Sequence, residues 1–277
     1  MSSVSPTSIS APATILLPDL VSHCKFDLHI NRYHKLATVE SNRWVFNSDP
    51  DLDQATRRAF QCLKAGKFVA MCYPNVGYPQ LRVCTDFINW IFHLDDLSDD
   101  MDDRGVDKVV NVVMNSLYHP HTYRSPARLN RMSKESVFHY FFFLSQGSNQ
   151  LSDLFLPDSS LCKRIIQTAS PGTRQRFLES MQLFFETIHQ EAIDRTNGTI
   201  PDIKSYISLR RDTSVCKACW ALIEYAHHLH IPDDVMEHPT IRSLGEATND
   251  FVAWSNVSQS FLITDRDSAS FFWMGLE

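Results

Sequence analysis

Apolar residues recur at three- and four-residue spacing along most of the chain, which is the pattern of amphipathic helices packed on a core. The clearest stretch spans residues 80–101, where Leu81, Cys84, Ile88 and Ile91 repeat with a helical period. The same period predicts helices over residues 53–64, 106–117, 173–194, 202–209, 215–229 and 240–256. No stretch alternates apolar and polar residues over the length of a strand. The pattern therefore predicts an all-α domain.

Composition narrows the class of protein further. The 277 residues include only 8 glycines, whereas average usage would give roughly 19. This shortage, with the absence of any GxGxxG or GxxxxGK[ST] sequence, argues against Rossmann and P-loop domains. The formal net charge of −6 gives no general attraction for nucleic acid or for anionic lipid. We therefore expect no nucleic-acid partner.

Signals for a membrane or secretory location are also missing from the sequence. The longest apolar runs, such as HYFFFL, are far shorter than the roughly 20 residues of a spanning helix. The N-terminal segment has no basic region and contains Pro12 and Pro18, so it does not read as a signal peptide. Among the seven cysteines, Cys216 and Cys219 are expected to be small buried residues rather than a redox or zinc site. We expect a cytoplasmic protein with reduced thiols and no membrane insertion.

A cluster of aspartates follows the clearest of the apolar stripes. It comprises Asp95, Asp96, Asp99, Asp100, Asp102 and Asp103. Asp95 and Asp99 share a helical face because they are four residues apart, and Ile88 and Ile91 lie beneath Asp95 on that face. Carboxylates at the mouth of an apolar stripe suit Mg²⁺, which shares its remaining positions with water and substrate phosphates. The alternative is an acidic helix end exposed to solvent.

A second charged feature is the arginine pair in SYISLRRDTSV, between two apolar helices. Arg210 and Arg211 offer planar forks of donors that suit phosphate oxygens. The alternative is a surface pair that forms a salt bridge with Asp212. Taken with the aspartates, the pair predicts a site of metal-binding carboxylates and a phosphate-binding arginine around an apolar cavity. Such a site suits a ligand with an anionic head and a hydrocarbon tail.

Several sequence stretches together carry a family resemblance. They are ILLPDL at 15–20, VESNRWV at 39–45, CTDFINWIFHLDDLSDD at 84–100, RRDTS at 210–214, ALIEY at 221–225 and NDFVAWSN at 249–256. With these stretches in this order, the chain resembles the fungal, basidiomycete-type class I sesquiterpene synthases. A DDxxD motif alone would be weak evidence, whereas the ordered set is specific.

The resemblance implies the α-helical fold of class I terpene cyclases and farnesyl diphosphate as the substrate. It also implies Mg²⁺ as the cofactor, with three ions in an intact member and fewer here. The DDxxD motif, here Asp95, Asp96 and Asp99, would supply metal ligands. Arg210 matches the arginine that senses the diphosphate. These side chains and the metal would make the diphosphate a good leaving group.

Further site residues follow from the same resemblance. Thr213 and Ser214 fall at the positions called linker and effector, directly after the arginine pair. Once the diphosphate leaves, an allylic carbocation forms in a dry pocket, where aromatic faces stabilise it by ~2 kcal/mol or more. Phe92, Phe184 and Phe185 are candidate wall residues of that pocket. Ordinary core packing is the alternative for each of them.

The chain departs from the family in the second metal motif, which reads N-D-x-x-S-x-x-x-E. Asn256 lies 46 residues after Arg210, which is the usual spacing from the arginine to that motif, so Asn256 is a candidate metal ligand. The Asp, Ser and Glu of the motif do not follow it. Reading the motif from Asn249 instead puts Ala253 and Val257 at the Ser and Glu positions. In either reading the motif is broken.

These departures set the expected domain organisation. Residues 1–256 would form the cyclase domain, with a candidate insertion at 134–160, where the apolar periodicity is weak. Residues 257–277 would be a non-homologous and disordered tail, which a splice or gene-model error would explain. The chain ends 21 residues after Asn256, short of the last helices of the family.

The sequence therefore predicts a sesquiterpene synthase whose activity is impaired by the loss of the second metal motif. The alternative is a catalytically inactive relative that at most binds Mg²⁺-diphosphate weakly. An elongating prenyl synthase would usually carry a second DDxxD motif on a later helix, and the sequence has none. The sequence does not indicate the product skeleton, the mode of cyclisation or the oligomeric state.

Overall fold

The structure, a computed structural model, describes residues 22, 24–48, 52–99, 101–118 and 169–263. These ranges contain the helices α1 (His34–Ser48), α2 (Gln54–Cys62), α3 (Ala65–Cys72), α4 (Tyr78–Asp99), α5 (Asp103–Tyr118), α6 (Pro171–Asn197), α7 (Ile203–Thr213), α8 (Cys216–Ala226), α9 (Asp233–Met236) and α10 (Pro239–Ile263). The same ranges contain no strand, and the predicted all-α class is confirmed. Within them, no helix is both long and apolar enough to cross a membrane.

Capping side chains set the beginnings of several helices. At the start of α6, the Ser170 hydroxyl accepts a hydrogen bond from the Thr173 backbone N–H (3.0 Å), and a proline occupies the first helical position. Asp202 caps α7 in the same way through the backbone N–H of Ser205 (2.9 Å). α6 ends at Gly198, whose φ of 64° is the left-handed conformation that glycine adopts most easily.

The core forms where α4, α6 and α8 pack together. α4 contacts α1, α3 and α8, while α6 contacts α5, α7 and α8. The rings of Phe87 in α4 and Phe177 in α6 meet edge to face, with centroids 5.4 Å apart. Trp90 and Leu81 from α4 and Tyr225 from α8 are among the largest fully buried side chains. Because α8 also contacts α10, it links the core to the C-terminal helix of the described chain.

Two helices, α1 and α3, do not follow from the apolar pattern. α1 packs on α4 partly through polar side chains: Asn89 donates a hydrogen bond to the fully buried Ser41 hydroxyl (2.8 Å). Arg82 of α4 also donates to Glu40 of α1 (3.0 Å). Such contacts replace the apolar repeat by which a helix is normally recognised. α3 has only 8 residues, too few for a repeat to be evident.

Two boundaries differ from those expected from the sequence. Arg210 and Arg211 lie in the last turn of α7 rather than between two helices. α10 continues past Asn256 to Ile263, so the first part of the expected tail, residues 257–263, is helical. Residues 264–277 and the candidate insertion at 134–160 lie outside the described residues.

Candidate active site

The candidate site is built around a short break between α7 and α8. Only Ser214 and Val215 separate the two helices. Val215 has a φ of 64°, a left-handed conformation that costs a β-branched residue roughly 1–2 kcal/mol. Its side chain packs against the hydrophobic core, which offsets that cost. The break turns the chain so that the end of α7 and the start of α8 face the same space.

A buried asparagine of α10 fixes the break in place. Asn249 is 1% exposed. Its Nδ2 donates to the backbone carbonyl of Arg211 (2.6 Å), and its Oδ1 accepts from the Ser214 hydroxyl (2.6 Å). The Ser214 hydroxyl oxygen also accepts from the backbone N–H of Cys216 (3.3 Å). One side chain thus satisfies polar groups on both sides of the helix break.

Arg211, in the last turn of α7, joins this helix to α10. Its guanidinium donates to both carboxylate oxygens of Asp250 (2.7 and 2.6 Å) and to Glu246 (3.0 Å). These hydrogen bonds lower the pKa of Asp250 below its ordinary value. The alternative interpretation of a pair with Asp212 is wrong for Arg211, since Asp212 instead pairs with Lys217. Arg211 therefore has a structural partner of its own.

Arg210 points to the other side of the same helical turn. Its Nη2 donates to Asn256 Oδ1 (2.8 Å), and its Nη1 donates to the Thr213 hydroxyl (3.2 Å). The three side chains are partly exposed. An arginine has five N–H donors in a planar fork, so these two bonds fix the orientation of the guanidinium and leave further donors for an anion.

These polar groups lie at one side of an apolar cavity of about 200 Å³, which we call the main cavity. Its wall is formed by α3, α4, α6, α7, α8 and α10. The residues used below are Cys72, Ile88, Ile91, Phe92, Asp95, Phe184, Arg210, Thr213, Ser214, Cys216, Cys219, Trp220, Ile223 and Asn256. Asp95 from α4 and Arg210 from α7 therefore face one hollow. The apolar stripe beneath Asp95 forms part of the same wall.

The predicted aromatic residues divide between wall and core. Phe92 and Phe184 line the main cavity. Phe185 is fully buried and is not among the residues that line it; its ring packs edge to face on Phe184, with centroids 5.2 Å apart. Neighbouring residues on a helix point about 100° apart, and the rotation of α6 turns Phe184 toward the hollow and Phe185 into the core.

The two residues at which the second metal motif could begin, Asn256 and Asn249, have different environments in the structure. Asn256 lines the main cavity beside Arg210. Asn249 and Asp250, seven and six residues earlier, are engaged by the helix break and by Arg211. The side chains of Asn249 and Asp250 hold α7 and the helix break, whereas the Asn256 carboxamide accepts a hydrogen bond from Arg210 at the cavity.

Three cysteines in the wall were not recognised as site residues from the sequence. Cys72, Cys216 and Cys219 line the main cavity, and all three thiols are free. Although part of the Cys72 surface is open, burial raises the pKa of its thiol to about 11, and the nearby Cys216 adds to the effect. Burial raises the pKa of Cys216 and Cys219 as well. The thiols are therefore protonated near neutral pH and behave as small apolar groups.

The donor groups at the cavity suit a hard divalent cation only in part. Asp95 offers carboxylate oxygens and Asn256 a carboxamide oxygen, the ligand types that Mg²⁺ prefers. Among the described side chains there is no group of three or more His, Cys, Asp and Glu that could hold a metal. Asp96 and Asp99 lie on α4 with Asp95, but their side chains are outside the described part. The described residues thus offer two oxygen-bearing side chains, of which the Asn256 oxygen also accepts from Arg210. Mg²⁺ commonly takes one or two carboxylates plus substrate phosphates.

Sequence comparisons relate the chain to known proteins. A family model described as terpene synthase family 2, C-terminal metal binding, matches residues 86–261. Sesquiterpene synthase Agr1 of Cyclocybe aegerita is 51% identical over 251 residues, which cover 91% of this chain and 65% of that protein. Sesquiterpene synthase 1 of Postia placenta is 49% identical over 256 residues, which cover 92% of this chain and 68% of that protein. The chain thus spans about two thirds of the length of these relatives.

Solved structures share the same architecture. Linalool/nerolidol synthase from Streptomyces clavuligerus superposes with a TM-score of 0.68 at 18% identity, covering 87% of this chain and 72% of that chain. At such low identity the likeness concerns the fold alone. It agrees with the helical bundle expected from the sequence.

Proposed function

Because the chain belongs to the terpene synthase family, we propose that it is a sesquiterpene synthase whose main cavity binds farnesyl diphosphate together with Mg²⁺. In this proposal the allylic carbocation formed on loss of diphosphate cyclises within the cavity. The observation that carries the proposal is that Asp95 and Arg210, from two helices far apart in sequence, line one apolar hollow. A carboxylate and a guanidinium beside an apolar space match a substrate with a charged head and a hydrocarbon tail.

The diphosphate would lie between α4 and the end of α7. Asp95, with Asp96 and Asp99 on the same helix, would hold Mg²⁺, and Asn256 would contribute a further oxygen. Mg²⁺, when bound, neutralises the diphosphate and makes it a good leaving group. Arg210 would donate to the diphosphate oxygens, and its bonds to Asn256 and Thr213 would keep its planar fork aimed at them.

The hydrocarbon chain would occupy the apolar part of the main cavity. Ile88 and Ile91 offer a surface without polar groups, and Phe92 and Phe184 add aromatic rings. An aromatic face attracts a carbocation through the ring quadrupole, worth ~2 kcal/mol or more when water is excluded. An apolar wall also keeps water from quenching the cation early.

The break in the second metal motif supports the view that this activity is impaired. Asn256 is followed by Val257 where the family has Asp, and the Ser and Glu ligands are absent from the sequence. Fewer metal ligands would leave the diphosphate less well neutralised, so its loss would be slow.

The alternative is an inactive relative that binds Mg²⁺-diphosphate weakly. One observation favours it: the main cavity, at about 200 Å³, is smaller than the roughly 300–1,000 Å³ of ordinary ligand sites. A cavity of this size would have to widen before it could take the whole isoprenoid chain.

The test is incubation of the purified chain with farnesyl diphosphate and Mg²⁺, with products identified by gas chromatography. We expect little or no sesquiterpene, and a strong sesquiterpene peak would contradict the impairment. Calorimetric titration with Mg²⁺ and inorganic diphosphate reports binding in either case. Binding should be lost in Asp95→Asn and Arg210→Ala but kept in Asp107→Asn, which makes the same charge change at an exposed position of α5. Equal binding by all four proteins would overturn the proposed site.

A further inference from the structure

Trp220 stands between the main cavity and a second hollow. The second hollow, which we call the rear groove, has a volume of about 380 Å³ and lies along α6, α8, α9 and the start of α10. The residues used below are Glu179, Lys217, Trp220, Glu224, Glu237 and Arg242. Among the described residues, Trp220 lines both hollows, so its side chain forms part of the wall between them.

The two hollows differ in polarity. The rear groove carries charged side chains, of which Glu179, Glu237 and Arg242 are exposed to solvent. Exposed charges keep their hydration, so the rear groove holds water. The main cavity has an apolar wall around Phe92 and Phe184. The indole of Trp220 is thus in contact with a charged groove on one side and a mainly apolar cavity on the other.

The position of Trp220 on α8 explains this placement. Cys219 and Ile223 of α8 line the main cavity, whereas Lys217 and Glu224 of the same helix line the rear groove. Trp220 lies at the boundary between these two faces of the helix. Among these five residues of α8, Trp220 has the largest side chain, and it reaches both hollows.

The edge of the Trp220 indole packs against Gly245 of α10. A Cβ atom built on Gly245 would lie 3.4 Å from Cζ3 and 3.7 Å from Cη2 of Trp220. These are van der Waals distances, so the six-membered ring rests on the bare backbone of α10. Trp220 therefore reaches from α8 to α10 and contacts both helices.

We propose that Trp220 is the barrier that keeps water of the rear groove out of the main cavity, and that it thereby determines how the terpenoid cation is quenched. The inference rests on the proposed function. With the barrier in place, a carbon next to the cationic centre gives its proton to the released diphosphate, and the electron pair of the broken C–H bond forms an alkene. With the barrier open, a water oxygen forms a bond to the cationic carbon, and the extra proton passes to solvent, which gives an alcohol.

The first test measures the barrier without any catalysis. A cationic methanethiosulfonate reagent, carried by water, forms a mixed disulfide with an accessible cysteine and releases a sulfinate. Labelling of Cys219, on the cavity side of Trp220, is followed by peptide mass mapping, with the exposed Cys62 as the internal reference. We expect Trp220→Ala to raise the relative labelling rate of Cys219 at least ~10-fold, because opening the wall admits the reagent and also hydrates a thiol whose pKa burial now raises. Trp220→Phe should stay near the starting rate.

Two further proteins keep this test decisive. Gly245→Leu leaves Trp220 in the sequence but pushes on the edge of the indole, so it should also raise Cys219 labelling, whereas Gly245→Ala should not. Cys84, which is fully buried, reports general loosening. An unchanged rate in Trp220→Ala, or equal gains at Cys84 and Cys219, would overturn the proposal.

The second test measures the consequence for the product in oxygen-18 water. We expect Trp220→Ala to raise the share of oxygen-18-labelled terpene alcohol relative to hydrocarbon by several fold. An unchanged ratio alongside faster Cys219 labelling would refute the role in product choice. If neither protein forms terpene, as the expected impairment allows, the Cys219 labelling rates alone decide whether Trp220 is a barrier, and the binding of Mg²⁺ and inorganic diphosphate separately tests the proposed function.

Discussion

Replacing Asn249 by alanine should destabilise the protein, although Asn249 does not line the main cavity. Its carboxamide is 1% exposed and holds both sides of the α7–α8 break, through the carbonyl of Arg211 and the hydroxyl of Ser214. Both hydrogen bonds measure 2.6 Å. Truncation removes both bonds at once and leaves the Arg211 carbonyl and the Ser214 hydroxyl with only their weaker contacts of 3.3 Å.

The expected loss follows from those two bonds. A hydrogen bond contributes a net ~1 kcal/mol, and a buried group left without a partner costs about 1–3 kcal/mol. The Ser214 hydroxyl keeps its contact with the backbone of Cys216 and can donate to the carbonyl of Arg211 (3.3 Å), so the main loss is that of the two bonds from Asn249. We expect Asn249→Ala to lower the free energy of unfolding by about 2 kcal/mol. For a chain of this size, each kcal/mol lowers Tm by about 2–4 °C.

The assay is urea denaturation followed by circular dichroism, with Asn256→Ala as the matched control. Asn256 lies seven residues further along α10 and faces the main cavity. Its truncation should change stability by less than ~1 kcal/mol, since its side chain is partly exposed, but should weaken binding of Mg²⁺-diphosphate. The structural role of Asn249 would be refuted if Asn249→Ala lowered the free energy of unfolding by less than ~0.5 kcal/mol. It would also be refuted if Asn256→Ala destabilised the protein more than Asn249→Ala did.

Three further outcomes are expected. Since the bonds from Arg211 lower the pKa of Asp250 below its unfolded value, their stabilisation is present above the unfolded pKa and is lost as the pH falls through the folded one. Asp250→Asn should therefore cost ~1 kcal/mol at pH 7 in urea denaturation, and a cost that persisted below pH ~3 would contradict the reasoning. Gly66→Ala would place a Cβ 2.0 Å from the Thr38 hydroxyl oxygen, so it should lower Tm, and an unchanged Tm would contradict the close packing of α1 on α3. The alkylation rate of Cys72 by iodoacetamide should keep rising up to pH about 11, and a plateau near pH ~9 would indicate an ordinary thiol.

The apolar pattern was sufficient to predict five of the six helices that line the main cavity, α3 being the exception. In α4, the spacing of Ile88, Ile91 and Asp95 places an apolar stripe beneath a carboxylate, and these residues do line one cavity. The 46-residue spacing from Arg210 to Asn256 also corresponds to a direct contact in the structure. Periodicity works here because it reports which face of a helix is buried.

The remainder of the site depends on contacts that periodicity does not encode. Asn249 and Asp250 resemble a metal motif in sequence, yet their side chains hold α7, because the choice of partner depends on how α10 packs. Phe184 and Phe185 are neighbouring residues of the same type, and only the rotation of α6 decides which one faces the hollow. Trp220 and Gly245 are on different helices, so their contact arises only once α8 and α10 are assembled.

Asn249 and Asn256 together set the register of α10. Seven residues make nearly two full turns and about 10.5 Å of rise, so the two carboxamides project from almost the same side of the helix. A slip of α10 by one residue would swing both through about 100°, and would break the anchor at the helix break and the contact with Arg210 at the same moment. α10 can therefore pack against α7 in only one register. The position of Asn256 at the cavity is thus fixed in part by Asn249, which does not line the cavity itself.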